Sequence, residues 1–205
     1  MNIIERIKNI IVSPKTEWEK IAIENQSMSN VITSYVLPLT LIGAVAAFIG
    51  YGLIGIDTGF LGIRIKGMDW GLYMAINKFI TGILAVIICT YVVDMLAPSF
   101  GSEKNLNRSA QLVAYAYTPA MIGAFLNVVP MLGIIGSLCG LYGIYLWYLG
   151  LGPMKKTPED KKVVYLVVSI LVLIVISFII GLVMNRILGS IFGVGAFGTG
   201  LGYKM

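Results

Sequence analysis

Two ionisable residues, Lys78 and Asp94, sit within apolar stretches of this 205-residue chain. Charge is costly in hydrocarbon, so each is a candidate for function or for a structural pair. On one helix they would stand about 24 Å apart at 1.5 Å per residue, too far to meet directly. Asp94 lies one turn before Pro98. There it would be solvated by headgroup water or turned inward to accept hydrogen bonds, and both readings stand. Lys78 is placed to snorkel toward an interface and anchor the helix.

The stretch Ala114–Pro119, AYAYTP, interrupts a long apolar run. Pro119 has no N–H, which frees the carbonyl of Tyr115 four residues earlier. In lipid that carbonyl must find a new donor, and Thr118 and the tyrosine hydroxyls are the nearest. By depth, Tyr115 and Tyr117 share a layer with Tyr91, Asp94, Tyr142, Tyr145, Trp147 and Tyr148. That layer reads as an interfacial aromatic belt. The sharper alternative is a network in which Asp94 accepts from Tyr115 or Tyr117.

The remaining inventory argues against catalysis. The chain has no histidine, which removes the commonest general base together with Ser–His, Cys–His and HExxH arrangements. Cys89 and Cys139 read as small buried hydrophobes, without CxxC spacing. No GxSxG elbow, phosphate-binding glycine loop or pair of intramembrane aspartates occurs. The expectation is therefore no enzyme, no cofactor, no metal and no nucleic-acid partner. Lys155, Lys156, Lys161 and Lys162, interleaved with Glu159 and Asp160, suit anionic lipid headgroups or act as topological anchors.

The elements that hold these residues follow from composition. The chain is 58% hydrophobic and 12% charged, with a mean hydropathy of +0.88. Soluble domains carry about 25% charged residues, so this is the composition of a membrane protein. Charges are missing between Glu24 and Asp57, between Lys78 and Asp94, from Ser109 to Met154 and from Val163 to Asn185. A crossing needs about 20 apolar residues. The Ser109–Met154 block holds two, broken at Asn127–Pro130. The expected fold is all-α, a polytopic integral membrane protein with five transmembrane helices near 31–56, 71–97, 111–128, 131–151 and 163–185.

Small residues four apart let such helices approach closely. They occur at Ala116, Ala120 and Ala124, at Gly136 and Gly140, at Gly43 and Ala47, and at Ser177 and Gly181. Residues 1–26 form an amphipathic cytoplasmic segment with Ile3, Ile4, Ile7, Ile10 and Ile11 at helical spacing. Ser13-Pro14 starts a second helix. This pair is expected to lie on the inner leaflet, to bind a partner, or both. Glu5, Arg6 and Lys8 interrupt any secretory signal core. Residues 27–188 form the membrane domain and 189–205 a glycine-rich extracytoplasmic tail.

Orientation follows from basic residues near the helix ends. Arg6, Lys8, Lys15, Lys20, Lys104, Arg108, Lys155, Lys156, Lys161 and Lys162 would share one side. Only Arg64, Lys66, Arg186 and Lys204 would lie on the other. The N-terminus is expected in the cytoplasm and the C-terminus outside, in a bacterial inner (plasma) membrane.

In order along the chain, SPKTEWEKI, LAPSFGSEKNLNRSAQLVAYAYTP, a short hairpin and YLWYLGL before a basic loop resemble the Yip1 domain family, in a prokaryotic form. The resemblance covers roughly residues 8–185. Its motif falls on Tyr115, Tyr117 and Pro119. It implies a non-catalytic membrane adaptor linked to membrane organisation or trafficking, with lipids, a second copy or other membrane proteins as partners. The alternative is a small transporter or channel whose polar path includes Asp94, Lys78, Asn77 and Asn127.

Overall fold

The computed structural model describes residues 2–24, 26–57 and 64–192. Helix α1 spans Ile3–Val12, started by Asn2, whose side chain accepts from the Ile4 amide. Helix α2 spans Pro14–Ile23, with proline at its first position as the sequence predicts. A first long run covers Met28–Ile54. It begins with α3 (Met28–Val31) and continues through a π-helical turn at Ile32–Val36 into α4 (Leu37–Ala47). Pro38 cannot donate to the carbonyl four residues back, and the widened register precedes it. A second π stretch, Phe48–Ile54, ends the run.

A two-residue antiparallel ladder, β1 (Ile56–Asp57) with β2 (Arg64–Ile65), leads into α5 (Met68–Leu96). At 1.5 Å per residue α5 exceeds the roughly 30 Å of a hydrocarbon core. Pro98 stops it through a 3₁₀ turn at Ala97–Phe100. Helix α6 (Leu106–Ala116) is capped by Asn105, whose side chain accepts from the Arg108 amide. Helix α7 (Thr118–Gly123) follows, then short 3₁₀ turns at Ala124–Val128 and Pro130–Leu132. Helices α8 (Gly133–Lys155) and α9 (Glu159–Phe192) complete the described chain.

Among the described residues, four helical runs are long and apolar enough to cross a membrane: Met28–Ile54, Met68–Phe100, Pro130–Lys155 and Glu159–Phe192. The segment expected as the third span is broken instead, at Tyr117 and again at Ala124. Pro119 interrupts the hydrogen-bond ladder, and 3₁₀ turns take over after Gly123. This broken segment still runs beside the first span. The Met28 amide donates to the Asn107 side chain at 2.9 Å at one end, and Gly50 packs against the Asn127 backbone at the other.

Small residues set the closest approaches. Gly123 of α7 meets Gly136 of α8 backbone to backbone, and a Cβ on Gly143 would come within 2.6 Å of the Ala116 carbonyl. Gly43 lies against Ala124. The faces read from the sequence on the first, third and fourth segments thus meet one another. Gly181 has no neighbour within 4 Å of a Cβ position, so the α9 face lines open space. Helix α9 also continues to Phe192, beyond the expected end near 185, and takes up the start of the proposed tail. Residues 193–205 lie outside the described residues.

The N-terminal pair differs most from expectation. Ile10, Trp18 and Ile21 are fully buried in the same core as Leu112, Tyr115, Leu146 and Leu151. Helices α1 and α2 therefore dock on the end of the bundle, chiefly on α8, rather than spreading this face on lipid. Each buried large side chain contributes roughly 1.5–3 kcal/mol. Ile4, Val12 and Ile23 remain exposed on the opposite side.

Candidate functional site

At the docked end, two charge clusters form where the sequence offered only scattered polar faces. The first joins three segments. Lys155, at the last turn of α8, is fully buried, and its ammonium donates to Asp94 Oδ1 at 3.0 Å, Ser109 Oγ at 2.6 Å and the Asn105 carbonyl at 3.3 Å. Ser109 Oγ in turn donates to Asp94 Oδ1 at 3.0 Å. Asp94 therefore faces inward, and its partners are Lys155 and Ser109 rather than Tyr115 or Tyr117. Lys155 is withdrawn from any headgroup. Burial makes the loss of either partner costly.

The second cluster locks α1 to α2. Arg6 is buried, donating from Nη1 to Glu17 Oε1 at 2.5 Å and from Nη2 to Glu24 Oε1. Its guanidinium lies over the Tyr115 ring, 5.3 Å from the centroid. Tyr115 also packs edge-on to Tyr35 and Trp18, and its hydroxyl donates to Gln26 Oε1 at 3.4 Å. Thr118 Oγ1 shares a hydrogen bond with the Tyr35 hydroxyl at 2.7 Å, which ties it to the first span. The AYAYTP motif is thus divided among neighbours: Tyr115 toward the N-terminal lock, Thr118 toward the first span.

The four basic candidates also separate. Lys156 is exposed and pairs with Glu103 at 3.0 Å, and Lys161 is exposed. Lys162 is buried against Glu159 and lies 6.0 Å from the Tyr148 ring centroid. Of the expected aromatic layer, Tyr91 and Tyr145 face outward, whereas Trp147 is buried. Tyr165, unremarked in the sequence, donates its hydroxyl to the Val93 carbonyl beside Asp94.

Tyr117 points elsewhere. It lines a half-open cavity of about 430 Å³ between α4, α5, α7 and α9, together with Lys78, Asn77, Thr40, Thr81 and the exposed Ser177. A second void of about 590 Å³, between α7, α8 and α9, shares Tyr117, Ala120 and Ser177 with it. Lys78 lines the first cavity, whereas Asp94 belongs to the Lys155–Ser109 cluster, so the two do not meet. Asn127, the other end of the suggested polar path, donates to its own Ala124 carbonyl at 2.7 Å.

Sequence reasoning missed Arg6, Glu17, Ser109 and Lys155 as core groups. One signal was present: Arg6 falls among Ile3, Ile7 and Ile10 on the apolar stripe of α1. Ser109 and Lys155 lie too far from Asp94 in sequence for any local pattern to link them.

Residues 8–199 match the Yip1 domain. The chain is also 25% identical over 169 residues to the inner membrane protein YohC of Escherichia coli K12, covering 78% of this chain and 86% of that one. The YohC of an Escherichia coli O6:H1 strain matches to the same extent. No solved structure matches. With the aromatic-proline motif, the apolar helices and the docked helix α2 all inside the matched region, this chain is a membrane protein that belongs to the Yip1 domain family.

Proposed function

We propose that this protein is a non-enzymatic scaffold or adaptor of a bacterial inner membrane, working through lipid and protein contacts in membrane organisation. One observation carries the reading: α1 and α2 form a platform, joined to each other by the Arg6–Glu17–Glu24 lock and docked on the bundle end through Ile10, Trp18 and Ile21. A docked, polar-topped platform suits a protein that presents a surface. Lys8, Lys15 and Lys20 remain exposed on it. The outward face of α9, with Leu171, Val175, Ile179 and Leu182 exposed, meets lipid or a neighbouring membrane protein.

The same proposal includes five crossings, with the platform in the cytoplasm and the C-terminus outside. The broken α6–α7 segment runs alongside the first span from Asn107 to Asn127, which supports a crossing despite its breaks. The distribution of basic residues supports the orientation.

Photo-crosslinking from Lys15 and Lys20 in intact cells tests the adaptor reading, with liposome flux measured in parallel. Discrete adducts to one partner or to a second copy support it. Solute flux abolished by Asp94→Asn, with no adduct, would favour transport instead. Impermeant thiol labelling of cysteines introduced at Ser13 and Ser190, in a chain lacking Cys89 and Cys139, tests topology: only the second should label from outside.

A further inference from the structure

Among the described residues, three hydrogen-bond donors without acceptors line the cavity between α4, α5, α7 and α9, Ser177 at its exposed edge. The Lys78 ammonium forms no ion pair or hydrogen bond among the described residues, and neither do the hydroxyls of Tyr117 and Ser177. The other hydroxyls there are already spent. Thr40 donates to the Val36 carbonyl at 2.9 Å and Thr81 to the Asn77 carbonyl at 2.6 Å, both within their own helices. An ammonium among apolar helices without a counter-charge is costly, so an arriving anion would be bound strongly.

The neighbouring void says what else the ligand carries. Its walls are Gly140, Gly143, Leu173, Ile174 and Phe178, apolar groups that offer an anion nothing. It adjoins the first cavity across Tyr117, Ala120 and Ser177. Both volumes fall within the roughly 300–1,000 Å³ of ordinary ligand sites. We propose that this pair of voids binds one single-chain anionic amphiphile, its carboxylate or phosphate held by Lys78, Tyr117 and Ser177 and its acyl chain lying along the apolar groove. A small polar solute would match the first void and leave the second unused. The proposal is independent of the adaptor reading, because the site lies away from the platform.

Equilibrium binding of radiolabelled palmitate and, separately, lysophosphatidate to the delipidated full-length protein in detergent tests it. Saturable binding of either supports the proposal, and the tighter of the two identifies carboxylate or phosphate as the headgroup. Lys78→Met should weaken binding by at least about tenfold, as expected for loss of one charge-assisted contact. Lys78→Arg should retain most of it. Unlabelled hexadecanol, which has the chain but no charge, should compete poorly in the unaltered protein. That arm holds even if the methionine variant does not fold. Failure of both probes to bind, equal affinity in a folded Lys78→Met protein, or hexadecanol competing as well as palmitate would overturn the proposal.

Discussion

The docked end and the mid-bundle cavity treat polar groups in opposite ways. Every buried charge at the docked end has a partner: Arg6 with Glu17 and Glu24, Lys155 with Asp94, and Lys162 with Glu159. In the cavity Lys78, Tyr117 and Ser177 keep theirs open. A buried pair mainly fixes geometry, since its attraction is offset by desolvation. An unpaired donor on a cavity wall is instead a vacancy in the local electrostatics. The contrast separates groups that hold the fold from groups available to a ligand, and substitutions at the two places should behave differently.

The largest effect is expected at Lys155. Lys155→Met leaves Asp94 buried without its cation and should cost about 3–5 kcal/mol, read as a large fall in the detergent melting temperature. Adding Asp94→Leu should recover much of that loss, because the pair is then removed together. Two additive losses would mean that the two side chains act separately.

Arg6→Met is the next test. It leaves the buried Glu17 with only the exposed Lys20, 3.7 Å from its Oε2, whereas Glu24 is part-exposed and more easily hydrated, so a cost of about 2–3 kcal/mol is expected. Because α1 is then released from α2, limited proteolysis should cut first between residues 2 and 24. A variant that resists cleavage as the unaltered protein does would show that apolar burial alone holds the platform.

A matched pair within AYAYTP sharpens the comparison further. Thr118→Val removes the partner of the buried Tyr35 hydroxyl and should cost about 1 kcal/mol. Tyr117→Phe removes a hydroxyl that has no partner among the described residues, and should stay within about 0.5 kcal/mol. Equal losses in thermal melts would break the distinction between the spent and the open hydroxyl.

The smallest effect is expected at Glu103, outside the bundle. The hydrogen bond from Lys156, and then its charge, hold this carboxyl below its ordinary range. A depressed native value adds stability above the unfolded value and loses it as pH falls through the native one. The group is fully exposed, so solvent screens the gain. Glu103→Gln should leave the melting temperature at pH 7 unchanged and slightly flatten its fall on acidification.

Much of the architecture was legible because hydrocarbon imposes length and apolarity locally. The charge-free runs predict the four long helices within a few residues, although α9 runs on to Phe192. Pro119 marked the break in the remaining segment, because a missing N–H is a local property. Gly136 was legible as a point of close approach, but its contact with Gly123 was not.

What the sequence alone determined is a membrane-embedded helical chain of the Yip1 type, with a polar interruption at AYAYTP and two charges where lipid would resist them. Helix formation and burial in hydrocarbon depend on neighbours within a turn or two, and those are written in order. Tertiary structure decided that Asp94 meets Lys155 and Ser109, that Arg6 joins α1 to α2, and that Lys78 is left with an open cavity. Those outcomes depend on which helices become neighbours, and the energy of a charge is set by whatever stands within a few ångströms of it in space.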